Sequence, residues 1–399
     1  MRRTRAVNMQ PPAAQSPSTI PSVDTATVLA LPGARVVDLR SPAEFAEDHL
    51  PRAVNHPLFG DAERELIGTL YKQVSPEAAY ERAAKLVDEG VGELVGGIAA
   101  TAERERPVRD LVEVARAITS DGFSAITQGI EMNPVDELPE RPLVVHCWRA
   151  GMRSLSVAAL LRGLGWEEVL ILEGGYKAYR RHVIDSLAEA ELPQAFVLRG
   201  LTGVGKTLVL RELERLRSGW NLDLEGHAQH RSWILGMVGL EPVSQKAFEG
   251  DIAARLRTGF PSGLVVYEGE SRKVGDRIVP ERVWGLLVGG RNFKLTTSLT
   301  RRIEALREEY LAEDDATEEL LKRLPFIEER LGPVKWKGVL TGLLENGRVD
   351  ELVEALLEHY YDPLYLHSEK GREHDATMDS TEPTACAEEL VAWIEAARE

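Results

Sequence analysis

Apolar positions alternate between two rhythms along the chain. In "ARVVDLRSPAEFAEDHLPRAVNHPLF" a β-branched run from Arg35 to Leu39 carries Asp38 and ends at Arg40. Ser41 can then cap a helical turn holding Glu44 and Phe45, and His49, Pro51 and Ala53 lead into a second extended run. The expected order is strand, short helix, strand. From Ala62 to Thr119 apolar residues recur at helical spacing, as in "EAAYERAAKLVDEGVGELVGGIAA" and "VRDLVEVARAI", so this stretch is expected to be mostly helix. "RPLVVHC" reads as a buried strand of parallel type, "MRSLSVAALLRGLGW" as an amphipathic helix ending near Gly163 to Gly165, and "EEVLILEGGYKAYRRHV" as a strand followed by a turn. Alternating strands and helices imply a parallel sheet covered by helices.

A boundary is expected at "AEAELPQ", because "AFVLRGLTGVGKTLVLRELERLRS" opens a new strand, loop and helix unit. The expected organisation is a tail over 1–25, a first α/β domain over 26–188 with a helical insertion, and a second over 189–399. The second contains a strand in "SGLVVYEGES" and a charged helical stretch in "SLTRRIEALREEYLAEDDATEELLKRL". It closes on a strand and helix in "HDATMDSTEPTACAEELVAWIEAARE". No repeat at a solenoid period occurs.

Composition narrows the class. The first 25 residues hold Arg2, Arg3 and Arg5 and then "QPPAAQSPSTIPS", which has no apolar core of signal-peptide length and reads as disordered. No run of about 18 apolar residues occurs, so no membrane partner is expected. Two cysteines among 399 residues make no disulfide framework or zinc cluster and point to a reducing cytoplasm. The net charge of −16 argues against coating nucleic acid non-specifically but leaves room for a local basic groove. Arg180, Arg181 and His182 are candidates for phosphate contacts, as are Arg211, Arg215 and Arg217, although these last three read first as a solvated helix face.

Two loops carry chemistry. Cys147 in "VVHCWRAGMRS" follows an apolar strand and precedes a helix, where backbone N–H groups form an anion-sized nest and a thiolate is stabilised as a nucleophile. Arg149 and Arg153 can grip an oxyanion, and Gly151 supplies backbone freedom. The bland alternative is a buried core thiol. "GLTGVGKT" matches G-x4-G-K-[ST] between a strand and a helix. Gly200, Gly203 and Gly205 can wrap a phosphate or diphosphate, Lys206 neutralises its charge, and Thr207 stands where Mg²⁺ would be held. Glu268 and Glu270 at a later strand end, Glu225 in "DLEGHAQHR", and Arg272 are further acidic or substrate-site candidates. The loop with His227 and His230 reads as surface or phosphate-facing rather than as a metal site. "HYYDPLY" reads as packing in preference to base stacking.

"DLRSPAEFAEDHLPRAVN", "VVHCWRAGMRS" and "LEGGYKAY" resemble, in order, the first strand, the active-site loop and the following strand and turn of rhodanese domains. Cys147 to Arg153 also fits the Cys-x5-Arg pattern of tyrosine phosphatases, although those loops prefer glycine at Ala150 and need a separate acid. With "ERELIGTLYKQVSPEAAYERA", "LRGLTGVGKT", "DLEGHAQHR", "PVSQKAFEG", "EGESRKVG" and "YYDPLY", the chain from about residue 34 onward resembles the tRNA 2-selenouridine synthase family. The resemblance implies a rhodanese-like parallel-sheet domain followed by a P-loop NTPase-like α/β domain with a helical C-terminal part.

It further implies replacement of the sulfur of wobble 2-thiouridine in tRNA by selenium from selenophosphate, through an S-geranyl intermediate made from geranyl diphosphate. Cys147 would carry selenium as a selanyl-sulfide, a selenophosphate-producing enzyme would be a partner, and the P-loop domain is the expected place of geranylation. The family's cysteine loop usually has two glycines where Ala150 and Gly151 stand, and an acidic residue often occupies the place of Gly269. A Cys-x5-Arg phosphatase or sulfurtransferase fused to a nucleotide-binding module, and a non-catalytic RNA-binding regulator, are the alternatives. The presence of both Cys147 and Lys206 counts against the regulator.

Overall fold

The computed structural model describes residues 19–398 except 106, 108–109, 120–130, 136, 192, 232–234, 270, 311–315 and 370, and it divides into two compact units, Met1–His182 and Val183–Glu399. In the first unit, β1 (Thr19–Val23), β2 (Arg35–Asp38), β3 (Ala53–Asn55), β4 (Glu131–Pro134), β5 (Leu143–His146) and β6 (Val169–Leu172) form a parallel sheet. Its order is β3-β2-β5-β6-β1-β4. The runs that read as continuous apolar strands, β5 and β6, lie in the middle and are buried on both faces. Around them run α1 (Thr25–Ala30), α2 (Pro42–Glu47), α3 (Asp61–Gln73), α4 (Pro76–Thr101), α5 (Leu111–Thr119), α6 (Met152–Gly163) and α7 (Gly175–Glu189). Ser41 and Glu44 form the capping box that starts α2, and Ser75 with Pro76 starts α4.

Three expectations change here. Residues 19–23, read as tail, form a strand between β6 and β4, with Ile20 fully buried. The helix α6 is not amphipathic: Ser154, Leu155 and every residue from Val157 to Leu161 are buried, because α6 lies between the sheet and α5. The turn after β6 is only Glu173–Gly174, and the chain continues directly into α7, which ends at Glu189. The boundary between units therefore falls inside a helix, and the expected boundary near 188 coincides with that helix's end.

In the second unit, β7 (Gln194–Arg199), β8 (Leu264–Glu268), β11 (Arg291–Thr296) and β12 (Ala376–Asp379) form a parallel sheet in the order β12-β11-β7-β8. A separate antiparallel hairpin joins β9 (Lys273–Val274) and β10 (Arg277–Ile278). The phosphate-loop strand β7 is therefore internal. Helices α8 (Lys206–Leu216) and α18 (Pro383–Ala396) pack together beside this sheet, and α9 (Leu224–Ala228), α10 (Gln245–Thr258) and α11 (Glu281–Gly289) connect its strands.

The helical part comprises α12 (Leu299–Tyr310), α13 (Ala316–Leu331), α14 (Pro333–Trp336), α15 (Val339–Glu345) and α16 (Val349–Leu356). A π-helical turn, Leu357–Tyr361, and α17 (Asp362–Ser368) complete it. It has its own core, with Leu324, Ile327, Leu340 and Tyr361 at its centre. Buried Glu328 accepts from the N–H groups of Gly338 and Thr341 at 2.6 and 2.8 Å, which satisfies backbone donors at the start of α15. No helix among the described residues is long and apolar enough to cross a membrane.

Candidate functional site

In the first unit the site is built on the carboxyl end of β5. Cys147 follows the strand directly and is 3% exposed, and its Sγ lies 3.3 Å from Oγ of Ser154, which in turn donates to the Gly151 carbonyl at 3.0 Å. The loop then enters α6, whose first-turn N–H groups supply the positive end of a helix. Backbone N–H groups of Tyr176 and Lys177 donate to the carbonyls of Cys147 and Trp148 at 2.9 and 3.0 Å, so the start of α7 holds the loop in shape.

That contact depends on Gly175. Its φ is +60°, and a Cβ there would lie 2.5 Å from the Cys147 carbonyl oxygen and 2.7 Å from the Ala150 nitrogen. Gly175→Ala is expected to destabilise the first unit by roughly 2–3 kcal/mol in urea unfolding. Unchanged stability with an unchanged rate of Cys147 alkylation would contradict this role.

The expected backbone freedom sits one residue earlier than the sequence suggested. Gly151 has a φ of −92° as the N-cap of α6, whereas Ala150 takes the left-handed conformation with a φ of 55°. Relief of that strain and loss of a buried methyl nearly offset one another. Ala150→Gly should therefore shift the unfolding free energy by less than about 1 kcal/mol. Ala150→Val, which puts a β-branched residue at positive φ, should lose roughly 2 kcal/mol or more, as urea titration will show.

Beneath the loop lies a buried polar network. Arg40 and Asp38, 1% and 0% exposed, pair at 2.6 Å; Arg40 also donates to the Asp48 carbonyl at 2.7 Å and stacks 3.7 Å over the Tyr176 ring. The Tyr176 hydroxyl donates to the Asp48 carboxylate at 2.8 Å. His146 is fully buried, with Nε2 3.7 Å from Asp38. Burial pushes the His146 imidazole below its ordinary range. Burial alone would push the Asp38 carboxyl up, but the charges of His146 and Arg40 and the Arg40 hydrogen bonds outweigh it and hold it down. Burial raises the Asp48 carboxyl despite the Tyr176 hydrogen bond. Removing one member of such a pair leaves an uncompensated buried charge, at a cost of about 3–5 kcal/mol.

The two loop arginines separate. Arg153 is partly buried and approaches Glu44 at 3.5 Å, and Glu44 also pairs with Arg64 at 3.0 Å. Arg149 is exposed and, among the described residues, has no ion-pair partner. The second cysteine, Cys386, lies in the core of the second unit, and burial pushes its thiol up to about 12.

In the second unit, Gly200, Gly203 and Gly205 all take positive φ, and a Cβ at Gly200 would meet the Leu295 carbonyl oxygen at 2.7 Å. Lys206 opens α8; it is 8% exposed, with Nζ 3.4 Å from the Gly200 carbonyl oxygen and 5.4 Å from the Tyr365 ring centroid. Thr207 is the next residue of that helix. The loop is braced from two sides. Arg302 donates to the Thr202 carbonyl at 2.8 Å while pairing with Asp362 at 2.5 Å, and the Ser380 hydroxyl donates to the Val204 carbonyl at 2.6 Å.

Glu268 ends β8 in register with Leu198 of β7, which places it on the strand beside the phosphate loop. Glu270 lies outside the described residues. Arg272 is exposed ahead of the β9–β10 hairpin, and Glu225 lies within the short helix α9, capped by Asp223. In the loop read as surface or phosphate-facing, one histidine is buried: His230 is 8% exposed beneath Gly275, and burial lowers its imidazole. Arg215 and Arg217 pair with Glu212 and Glu395. Among the described residues, no group of three or more His, Cys, Asp and Glu side chains could hold a metal ion.

No sequence signal marks the braces Arg302 and Ser380 or the hydroxyl of Ser154, whereas Asp362 and Tyr365 belong to the "HYYDPLY" stretch read as packing. Only "LEGGY" signalled the close approach at Gly175.

Residues 193–397 match the family model described as "tRNA 2-selenouridine synthase AAA domain", and residues 113–182 match the rhodanese-like domain. A tRNA 2-selenouridine synthase of Cupriavidus necator is 32% identical over 374 residues, covering 86% of this chain and 91% of that protein. One from Hydrogenovibrio crunogenus is 31% identical over 372 residues, covering 87% and 92%. The chain belongs to the tRNA 2-selenouridine synthase family. As a member of that family it pairs a rhodanese-like unit, whose cysteine sits on the loop after β5, with a P-loop-like α/β unit.

The missing side chain at Gly269 leaves room for Arg199. A Cβ at 269 would lie 2.8 Å from both Cδ and Nη1 of Arg199, and Arg199 instead donates to the Gly269 carbonyl at 3.3 Å and to Asn292 at 2.8 Å. Arg199 thus fills the space that a side chain at 269 would take.

Proposed function

We propose that the chain replaces the sulfur of wobble 2-thiouridine in tRNA with selenium from selenophosphate, by way of S-geranyl-2-thiouridine made with geranyl diphosphate. The observation that carries this reading is the cysteine loop: a buried thiol at a helix N-terminus, in a chain that also holds a complete phosphate loop. Alkylation turns the thiocarbonyl sulfur into a thiolate leaving group. The net exchange is redox-neutral: selenium enters at the selenide level, phosphate forms from the donor, and sulfur departs as geranyl thiol.

On this reading the Cys147 thiolate takes the phosphoryl group of selenophosphate and releases selenide, which displaces geranyl thiolate at C2, and water then frees phosphate and restores the thiol; Ser154 hydrogen-bonds its sulfur, and Arg153 faces the anion. In the second unit, Lys206 and the loop N–H groups hold the diphosphate. Thr207 is the residue that would hold Mg²⁺, which would offset charge on the departing diphosphate. The reaction belongs to a reducing, cytoplasmic setting with a selenophosphate-producing enzyme upstream.

The test is incubation with 2-thiouridine tRNA, geranyl diphosphate and selenophosphate, followed by mass spectrometry of the digested nucleosides. Both geranylated and selenium-containing uridine are expected. Absence of both, with phosphate released from an aryl phosphate instead, would favour the Cys-x5-Arg phosphatase.

A further inference from the structure

Between α3, α4 and α6 the first unit contains a cavity of about 650 Å³, within the roughly 300–1,000 Å³ range of small-molecule pockets. Its lining is mainly apolar, with Ile67 and Gly68 from α3, Ala83 and Val87 from α4, and Val157 from α6, while Arg153 marks the end next to the cysteine loop. The outer wall is unusual. None of the thirteen residues of α3 is buried, although its sequence presents an apolar face. A helix is held in place mainly by burial of such a face, so α3 stands over unfilled apolar space. At the loop end, Nη1 of Arg153 is buried and makes no hydrogen bond among the described residues, with Glu44 at 3.5 Å.

We infer that this cavity holds the isoprenoid chain of the S-geranyl-2-thiouridine intermediate while its sulfur-bearing carbon faces the Cys147 loop. The inference rests on the function proposed above and adds the place where the alkyl group is recognised. Three observations select this occupant over a protein segment or a flat aromatic ligand. Most of its lining is apolar, although Lys72, Asp88 and Arg116 also border it. It adjoins the reacting cysteine through Met152 and Arg153, which belong to both. Its cationic end also suits a thiolated nucleotide, which carries phosphate charge beside its hydrocarbon chain.

The full chain is tested with anticodon stem-loop RNAs carrying S-geranyl- or S-methyl-2-thiouridine, with selenophosphate as donor. Ala83→Trp is expected to raise KM for the geranyl RNA by about tenfold or more and to leave the methyl RNA within about twofold, so that the preference for the longer chain disappears. A variant that folds poorly would lose both substrates. An S-geranyl RNA bearing a diazirine at the far end of its chain supplies the second arm, with crosslinked peptides expected from 76–101 and 152–163. Retention of the geranyl preference in Ala83→Trp, or crosslinks confined to 193–397, would overturn the assignment. If the wild type transfers selenium to neither RNA, the proposed function fails, and the crosslink sites still decide whether the cavity binds the chain.

Discussion

Cys147→Ser is expected to lower selenium incorporation by at least about 10³-fold while leaving geranylation of the same tRNA within about twofold. Serine keeps the size of the side chain and the partner Ser154, so the loop should persist. Gly175 still contacts the loop through backbone atoms, and the N–H groups of Tyr176 and Lys177 still hold the two loop carbonyls. What disappears is the polarisable, ionisable sulfur, because an alkoxide is not accessible near neutral pH. The measurement is nucleoside mass spectrometry of tRNA after reaction with both co-substrates: 2-thiouridine should accumulate as its S-geranyl form. Loss of geranylation in this variant would place both steps on the first unit and refute the division of labour.

Lys206→Ala is expected to reduce geranyl transfer by about 10²–10³-fold. The lysine is nearly buried at the start of α8, where its ammonium lies against the Gly200 carbonyl and the Tyr365 ring. Removing it takes one positive charge from a site whose remaining binding power comes from backbone dipoles. The defect should fall on steps that use geranyl diphosphate. Supplying pre-geranylated RNA should therefore restore selenium incorporation to within about threefold of wild type. A variant equally impaired on pre-geranylated RNA would show that the phosphate loop serves the selenium step instead. The two variants together form a complementary pair, each blocking one half-reaction.

Much of this arrangement was legible because it is local. The strands β5 and β6 are apolar runs at the centre of a parallel sheet, and the phosphate loop is a contiguous motif between a strand and a helix, so periodicity and spacing suffice. The strand β1 was hidden because "TIPSV" adjoins a Pro/Ser-rich tail and gains its order only from β6 and β4, more than a hundred residues away. The support beneath Cys147 was hidden for the same reason. Tyr176 and Asp48 are 128 positions apart, and each looks like a surface residue of its own segment.

Helix α6 misled in the opposite direction: its serines and terminal arginine gave a polar stripe, but Ser154 faces the thiol and is fully buried. No pattern of residue types reveals that a left-handed alanine precedes Gly151, since glycine is the residue expected at positive φ. The cavity beneath α3 was likewise invisible, because an amphipathic helix reads the same whether the space under its apolar face is filled or open.

In the proposed reaction, geranylation prepares the sulfur to leave as selenium enters. The most direct measurement is a single-turnover reaction of the full chain with S-geranyl-2-thiouridine RNA and selenophosphate, quantifying geranyl thiol and 2-selenouridine at each time point. The two products are expected to rise together in a one-to-one ratio, and neither should form with Cys147→Ser. Formation of 2-selenouridine without geranyl thiol, or from unalkylated 2-thiouridine RNA at the same rate, would contradict it.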